Sequence, residues 1–164
     1  MSEGGIAPRA LTDPLLWMPA ILNLPEGKKK KYLINLILTR WSEVDPVAAT
    51  RYVDGAEARL IPERMRGLGK VAGLAHLENA DQVLTVIQPG VGRDAFISGV
   101  TEGLACRNMI KATTWIGKLG TVDDRRVAVA SIWHEFIKPD LSLYSDWLTR
   151  LGLSRETMEP GGQP

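Results

Sequence analysis

The sequence predicts an all-α protein in which about four helical hairpins are stacked, either as a right-handed superhelical array or as a bundle. Three observations predict this fold: an internal repeat, apolar residues at helical spacing within each copy, and a capping residue at the middle of each copy. Strand signals are scarce. The segment from Val83 to Ile87 has the propensity of a short strand, but its place within the repeat favours a helix.

The internal repeat is clearest in its last two copies. The stretch from Trp115 to Gly120 reads Trp-Ile-Gly-Lys-Leu-Gly, and 32 positions later the stretch from Trp147 to Gly152 reads Trp-Leu-Thr-Arg-Leu-Gly. Units of about 30 to 35 residues that repeat in this way are typical of helical hairpins, which bury their apolar faces only against neighbouring copies. The same offset pairs apolar residues upstream: Ile97 with Val129, Val100 with Ile132, and Leu104 with Phe136.

Two earlier copies and a half copy are predicted toward the N-terminus. One copy lies 63 positions before the third copy and runs from Leu33 to Val53. A weaker middle copy runs from Leu68 to Ile87 when it is aligned 29 positions before the third. The half copy opens at Asp13. The repeat therefore predicts an architecture for most of the chain, and it does not by itself predict an activity.

Each copy is predicted to consist of two helices that meet at a capped corner. Leu33, Ile37 and Trp41 have the spacing of one helical face, and a short polar side chain that can accept hydrogen bonds from free helix amide groups follows them. Proline is well tolerated at the first position of a helix. The predicted caps are Asp13, Asp45, Asn79, Asn108 and Asp140, the first-turn prolines are Pro14 and Pro46, and the second helices should end near Gly55, Pro89-Gly90, Gly120 and Gly152.

Tryptophan and glycine mark the predicted interior. Trp115 and Trp147 align in the repeat and are predicted to be equivalent buried residues, and Trp41 and Trp133 are also predicted to be buried. Trp17 has two interpretations, a packed cap of the stack or an exposed anchor for a partner. One helix contains three glycines, each of which costs about 1 kcal/mol relative to alanine, so close helix packing is predicted at Gly67, Gly69 and Gly73.

The first full copy carries a pattern with a known counterpart. Trp41, Asp45, Pro46, Ala49 and Tyr52 form the pattern Trp-x3-Asp-Pro-x2-Ala-x2-aromatic. This pattern resembles the helical-hairpin repeats of uncharacterised bacterial proteins in the tetratricopeptide and HEAT-like class. The resemblance covers roughly the chain between the first cap and the last glycine stop, and it implies a scaffold that binds other proteins or peptides.

Length and composition predict one helical domain. The chain has 164 residues, 45% of them apolar, which is enough for a substantial core. Residues 1–10 are predicted to be a disordered lead, residues 11–153 the helical domain and residues 154–164 a flexible tail. Neither a secretory signal nor a run of about 20 apolar residues is found. Because Cys106 is the only cysteine, no intramolecular disulfide can form, and a cytoplasmic location is expected.

The residue pattern predicts no catalytic, cofactor or metal site. His134 and Glu135 lack the second histidine of a zinc-protease helix, because Lys138 stands at that position. Asp123 and Asp124 suit the start of a helix, where carboxylates interact favourably with the helix dipole. The alternative is a small helical enzyme or regulator that uses these four residues at a site between helices, but their spacing does not demand acid–base chemistry.

A run of four lysines is the candidate site for anions. Such a run can neutralise the phosphates of nucleic acid or of lipid headgroups. The overall charge argues against a nucleic-acid partner, because 20 basic and 19 acidic residues give a net charge of +1. A solvated helix start is the simpler interpretation. The run consists of Lys28, Lys29, Lys30 and Lys31.

A protein partner is predicted to bind along the first helix of each copy. The apolar face of the first of these helices passes through Leu33, Ile37 and Trp41, so the opposite side passes through Asn35 and Thr39. First helices commonly line the concave, ligand-binding side of stacked hairpins. An ordinary solvated strip is the alternative. The aligned candidates are Thr39, Glu102 and His134, with Asn35, Ser98 and Ala130 one turn earlier, and Arg40 and Lys111 as weaker candidates.

The function predicted from these observations is therefore that of a noncatalytic scaffold or adaptor. The sequence leaves open whether the chain acts alone or as a subunit of a larger assembly. It also leaves the identity of the protein partner open.

Overall fold

The computed structural model describes residues 13–55 and 61–158, and all regular structure within them is helical. The prediction of an all-α protein is therefore confirmed. The predicted lead of residues 1–10, residues 56–60 and residues 159–164 of the predicted tail lie outside the described residues. The helices are α1 Pro14–Leu22, α2 Lys28–Val44, α3 Pro46–Asp54, α4 Ile61–Ala75, α5 Leu77–Leu84, α6 Val91–Arg107, α7 Met109–Lys118, α8 Val122–Ile132, α9 Leu141–Arg150 and α10 Arg155–Met158, with a π-helical turn Trp133–Ile137 and a 3₁₀ turn Lys138–Asp140 between α8 and α9.

Long and short helices alternate from α2 to α9, and most pairs meet at a single corner residue. Three of the predicted caps accept a hydrogen bond from the backbone N–H three residues further on, which satisfies one of the free donors of the new helix. These bonds run from Leu16 N to Asp13, from Ala48 N to Asp45 and from Lys111 N to Asn108, at 3.2, 2.9 and 3.0 Å.

The corner between α4 and α5 differs from the prediction. His76, not Asn79, precedes α5, and Asn79 lies inside that helix. The predicted alignment of the middle copy at an offset of 29 is therefore out of register by three residues. The histidine makes no side-chain capping bond, so the usual signal of a corner is missing there. The last predicted cap, Asp140, does precede α9, but its side chain accepts no capping bond either.

Burial follows the corners in a regular way. Three positions are buried around each of the corners Asp45, His76 and Asn108. They lie eleven and eight residues before the corner and four residues after it. This spacing places one apolar stripe of each long helix and one of each short helix in a common core. The residues are Ile34, Ile37 and Ala49, then Met65, Leu68 and Ala80, then Ile97, Val100 and Ala112.

Contacts between the long helices follow chain order, from α2 to α4, α6 and α8, and the contact of α4 with α6 is the most extensive. Glycine makes this contact possible. A Cβ atom at Gly69 would overlap the Phe96 carbonyl oxygen, and one at Gly99 would overlap the Arg66 carbonyl oxygen. The predicted close packing is confirmed for Gly69 and Gly73, whereas a Cβ atom at Gly67 would meet nothing within 4 Å.

The tryptophans are not all buried to the same extent. Trp41, Trp115 and Trp133 are buried, as predicted, but Trp147 is only partly buried. The predicted equivalence of Trp115 and Trp147 is therefore wrong as regards burial. Trp115 lies on α7, which has other helices before and after it along the chain. Trp147 lies on α9, and the only described helix after α9 is α10, which packs against α8.

The segment after α9 also packs on the core. Leu151, Leu153 and Met158 are buried, and Met158 belongs to α10, within the stretch predicted as a tail. These side chains cover the C-terminal end of the helical domain with apolar surface. At the opposite end of the domain, α1 leaves apolar side chains exposed.

Candidate binding surfaces

Helix α1 is apolar on every side, but it is covered on only one side. Its sequence, from Pro14 to Leu22, contains no charged residue. Met18 and Ile21 are buried, and α1 contacts α2, whereas Leu15 and Leu16 are 61% and 68% exposed. A helix that is apolar all round is ordinarily buried all round. The exposed side of α1 is therefore a candidate binding surface.

An open groove lies between α1 and α3. Its floor is formed by α2, and the empty space of the groove, including the solvent at its mouth, is about 680 Å³. Leu15 provides one wall and the α3 residues the other. The groove is lined by Leu15, Trp41, Asp45, Val47, Ala48, Arg51 and Tyr52.

Two aromatic rings form the apolar part of this groove. The ring centroids of Trp41 and Tyr52 are 5.4 Å apart and the planes are tilted by 51°, a favourable aromatic arrangement. Burial raises the pKa of the Tyr52 phenol, and the positive charge of nearby Arg64 opposes that shift. The phenol therefore stays protonated at neutral pH and keeps its hydrogen as a donor.

The two charged groups of the groove differ in their availability. The Asp45 carboxylate already accepts a hydrogen bond from Ala48 N, 2.9 Å away, as the cap of α3. Arg51 is exposed, and within the described residues its guanidinium makes neither a hydrogen bond nor an ion pair. The groove therefore carries one carboxylate, at the start of α3, and one guanidinium, in the last turn of α3.

The predicted strip on the long helices is found on three different helices. Thr39 lies on α2, Glu102 on α6 and His134 in the π-helical turn after α8. Glu102 is not free, because it accepts hydrogen bonds from both Nε and Nη2 of Arg66 on α4, the Nε bond being 3.2 Å long. The strip therefore includes an ion pair that joins two long helices.

When the middle copy is aligned on His76, one further residue joins the row of Thr39, Glu102 and His134. The sequence-based alignment on Asn79 does not include it. Lys70 stands six positions before the corner His76, as Thr39 does before Asp45, and its side chain is exposed. The two weaker candidates lie apart from this row. Arg40 pairs with Glu43 on its own helix at 2.9 Å, and Lys111 lies in the first turn of the short helix α7.

The lysine run is partly engaged by the protein itself. Lys30 pairs with Glu26 at 2.6 Å, and its side chain is only 12% exposed. Lys29 also has an interaction partner, while Lys28 and Lys31 are exposed. All four lysines lie in the first turn of α2, ten or more residues before Trp41, or about 15 Å along the helix. The run and the groove are therefore separate surfaces.

The four residues of the alternative enzyme hypothesis have different surroundings in the structure. Asp124 accepts hydrogen bonds from Arg93 Nε and Nη2, at 3.1 and 2.9 Å, and this pairing holds the pKa of its carboxyl below the usual range. Asp123 is exposed beside Arg126, with 3.6 Å between the charged atoms. His134 and Glu135 are ten or more residues further on, or about 15 Å along a helix. The structure does not bring these four residues together.

Two further findings concern the described residues only. No group of three or more histidine, cysteine, aspartate or glutamate side chains within them could hold a metal ion. None of the helices between residues 13 and 158 has both the length and the apolar character that crossing a membrane requires.

Comparison of the chain with protein-family models, with curated proteins and with solved structures finds no match.

Proposed function

We propose that this chain is a noncatalytic scaffold of stacked helical hairpins, of the tetratricopeptide and HEAT-like type, that binds a protein partner. The corner spacing supports the repeat, since Asp13, Asp45, His76, Asn108 and Asp140 follow one another at intervals of 31 or 32 residues. Units of this length that stack on their neighbours form extended surfaces for ligands.

The observation that carries the proposal is the open apolar groove between α1 and α3. Leu15 is 61% exposed there, and beside it lie the partly buried ring of Tyr52 and the edge of the buried Trp41. Exposed apolar surface with a polar rim marks sites of protein–protein interaction. The row of Thr39, Lys70, Glu102 and His134 offers a second, polar surface on the long helices. We propose a cytoplasmic location, which suits the single cysteine.

Affinity capture from the source cells tests this function. The purified full-length chain serves as bait, beside an unrelated helical protein of similar size and charge as the control. A captured protein is then purified and its binding to the chain is measured by calorimetry. We expect a complex of defined stoichiometry. If no captured protein binds the purified chain more tightly than it binds the control, the scaffold proposal is wrong.

A further inference from the structure

We propose that the basic segment of residues 24–32, which comprises the turn before α2 and the start of α2, binds the surface of a membrane that contains anionic lipids. The ammonium groups of the lysine run lie beside the phosphates and carboxylates of the lipids, and Leu24 and Tyr32 enter the layer of headgroups. This inference goes beyond the proposed scaffold function, because it concerns attachment to lipid and not to a protein partner.

The charge of the basic segment is concentrated and almost all of one sign. Residues 24–32 contain four lysines and one glutamate, a net charge of +3, whereas the whole chain has a net charge of +1. The glutamate, Glu26, pairs with Lys30, and the side chains of Lys28, Lys29 and Lys31 are exposed. Clusters of about four or more basic residues on an amphipathic helix are typical of segments that bind anionic leaflets. The segment therefore has the charge that such a surface attracts.

In the free protein, these lysines occupy an electrostatically unfavourable place. The start of a helix carries a partial positive charge, and α2 has no acidic residue in its first turn to balance that charge. Gly27, which precedes the helix, makes no side-chain capping bond. The neighbouring ammonium groups also repel one another. An anionic surface offsets both effects, so binding to it removes a cost that the free fold carries.

Apolar and aromatic surface accompanies the charges. Lys31 and Tyr32 stand three and four positions after Lys28, so these three side chains share the outward face of α2. Tyr32 is 64% exposed on this face, and Leu24, in the turn before the helix, is 36% exposed. Tyrosine is enriched where a membrane meets water, because its ring is apolar and its hydroxyl group is polar. The segment therefore offers charge and apolar surface to a leaflet together.

A nucleic acid fits the basic segment less well. Proteins that bind nucleic acid contact several phosphates along an extended, positively charged surface. The lysine run occupies a single turn of α2, about 6 Å along the helix axis. Because the whole chain has a net charge of +1 and the segment +3, the remaining residues together carry −2 and repel a long polyanion. Lipid headgroups move independently of one another and gather around a compact positive charge.

Flotation of the purified full-length chain with lipid vesicles tests the proposal. The vesicles consist of phosphatidylcholine alone, or of phosphatidylcholine with about one third phosphatidylserine, and the partition coefficient of the protein is measured for each. Two variants address the two parts of the segment. One is the double variant Lys28→Glu/Lys31→Glu, and the other is Tyr32→Ser.

The controls separate the proposed contact from a loss of folding and from a change of net charge. They are the double variant Lys111→Glu/Lys118→Glu on α7 and Leu143→Ser on α9, all at exposed positions. Glutamate is favourable at the start of a helix, so Lys28→Glu/Lys31→Glu should be at least as stable as the native chain, which thermal unfolding checks. A loss of lipid binding in a variant of undiminished stability cannot result from unfolding.

We expect the native chain to bind the anionic vesicles at least about tenfold more strongly than the neutral ones, and Lys28→Glu/Lys31→Glu to lose at least about tenfold in partition coefficient. Tyr32→Ser should lose about threefold or more, because an apolar ring no longer enters the interface. Both controls should stay within about twofold of the native chain. Added salt should weaken the binding, because it screens exposed charges.

Several outcomes overturn the inference. A folded native chain that does not bind the anionic vesicles is one, and equal binding to neutral and anionic vesicles is another. Undiminished binding of Lys28→Glu/Lys31→Glu excludes the lysine run, and an equal loss in the α7 double variant reduces the effect to net charge. A short oligonucleotide that binds more tightly than the anionic vesicles, and that the first double variant no longer binds, assigns the segment to nucleic acid.

Discussion

At the scale of single residues, Arg93 shows how one side chain fixes several elements. Its guanidinium donates to the Asp124 carboxylate on α8 and, through Nη1, to the carbonyl oxygens of Leu84, the last residue of α5, and of Ile87 in the turn that follows. Arg125 plays a similar part 32 positions later, since it donates to the carbonyl oxygens of Leu119 and Leu151. These arginines satisfy backbone acceptors that a helix end leaves free.

The Arg93–Asp124 pair predicts a specific dependence of stability on pH. The folded pKa of Asp124 is lowered, chiefly by the hydrogen bonds from Arg93, so the pair stabilises the fold above the unfolded pKa of about 3.9 and the benefit is lost as the pH falls through the folded value. The side chains are only 17% and 9% exposed. We therefore expect Asp124→Ala to lower the free energy of unfolding at pH 7 by about 3 kcal/mol.

Urea denaturation at pH 7, 5 and 3 measures this effect. The difference between the native chain and Asp124→Ala should shrink as the pH falls. Asp123→Ala is the matched control, because its carboxylate is 88% exposed and its removal should change stability by less than about 0.5 kcal/mol. Equal losses for the two variants, or a difference that does not depend on pH, would contradict the role given to the pair.

The corner residues allow the value of a capping bond to be measured within one chain. Asp45 and Asp140 both precede a short helix, but only Asp45 accepts a bond from the helix backbone. Asp45→Ala should cost about 1 kcal/mol more than Asp140→Ala in urea denaturation. Asp45→Asn, which keeps the acceptor, should recover most of that difference. If the two alanine variants lose the same stability, the capping bond contributes nothing measurable.

At the scale of elements, the tight contact of α4 with α6 depends on glycine at matching positions. Gly69 and Gly73 lie against the backbone of α6, and Gly99 and Gly103 lie against the backbone of α4. Glycine costs helix stability, but it lets two helix backbones approach more closely than any other residue allows. Around this contact Glu102 pairs with Arg66, and Arg107 donates to the Leu74 carbonyl oxygen.

Two glycines of α4 should therefore respond to alanine in opposite directions. Gly67→Ala should stabilise the chain by about 1 kcal/mol, because the new methyl group meets open space and alanine favours the helix. Gly69→Ala should destabilise it by about 3 kcal/mol, because the methyl group would overlap the backbone of α6 at Phe96. Thermal or urea unfolding of the two variants provides the measurement. Destabilisation by Gly67→Ala, or tolerance of Gly69→Ala, would contradict the packing described.

The sequence predicted the helices and most corners because their signals are local. Asp13, Asp45 and Asn108 are capping residues followed by apolar residues at helical spacing, and each is a cap in the structure. The corner at His76 lacks such a signal, and the capping preference of Asn79 predicts the corner three residues too late. The partly buried state of Trp147 could not be predicted either, because it depends on which elements follow α9.

The candidate site was harder to predict than the fold. The strip on the long helices followed from helical periodicity alone, and its residues are placed on the expected helices. The groove depends on how α1 lies against α2 and on the space left beside α3, which no spacing within one helix encodes. The available hint was the composition of α1, nine residues without a single charge. Trp41 and Tyr52 belong to the repeat pattern and pack on the core, and they also border the groove.

At the scale of the whole molecule, the contacts between helices are unequal. The pair α4 and α6 shares far more contact than α2 and α4, and the C-terminal end is covered by Leu151, Leu153 and Met158. In a protein whose elements mainly contact their neighbours, stability varies along the chain in the same way. The middle should therefore be the most stable part, and the helices toward the two ends, α1 to α3 and α9, should be less stable.

Hydrogen exchange followed by mass spectrometry tests this distribution of stability. Amides of α4 and α6 should exchange only when the whole chain unfolds, and amides of α1 and α3 should exchange at least about tenfold faster through local opening. Binding sites are often drawn from segments of low local stability, and the groove lies between these two helices. A bound protein partner that occupies the groove should slow exchange in α1 and α3 while leaving α9 unchanged, because a ligand stabilises only the states that bind it. Uniform protection from α1 to α9 in the free chain would contradict the unequal contacts and would make the groove a rigid part of the core.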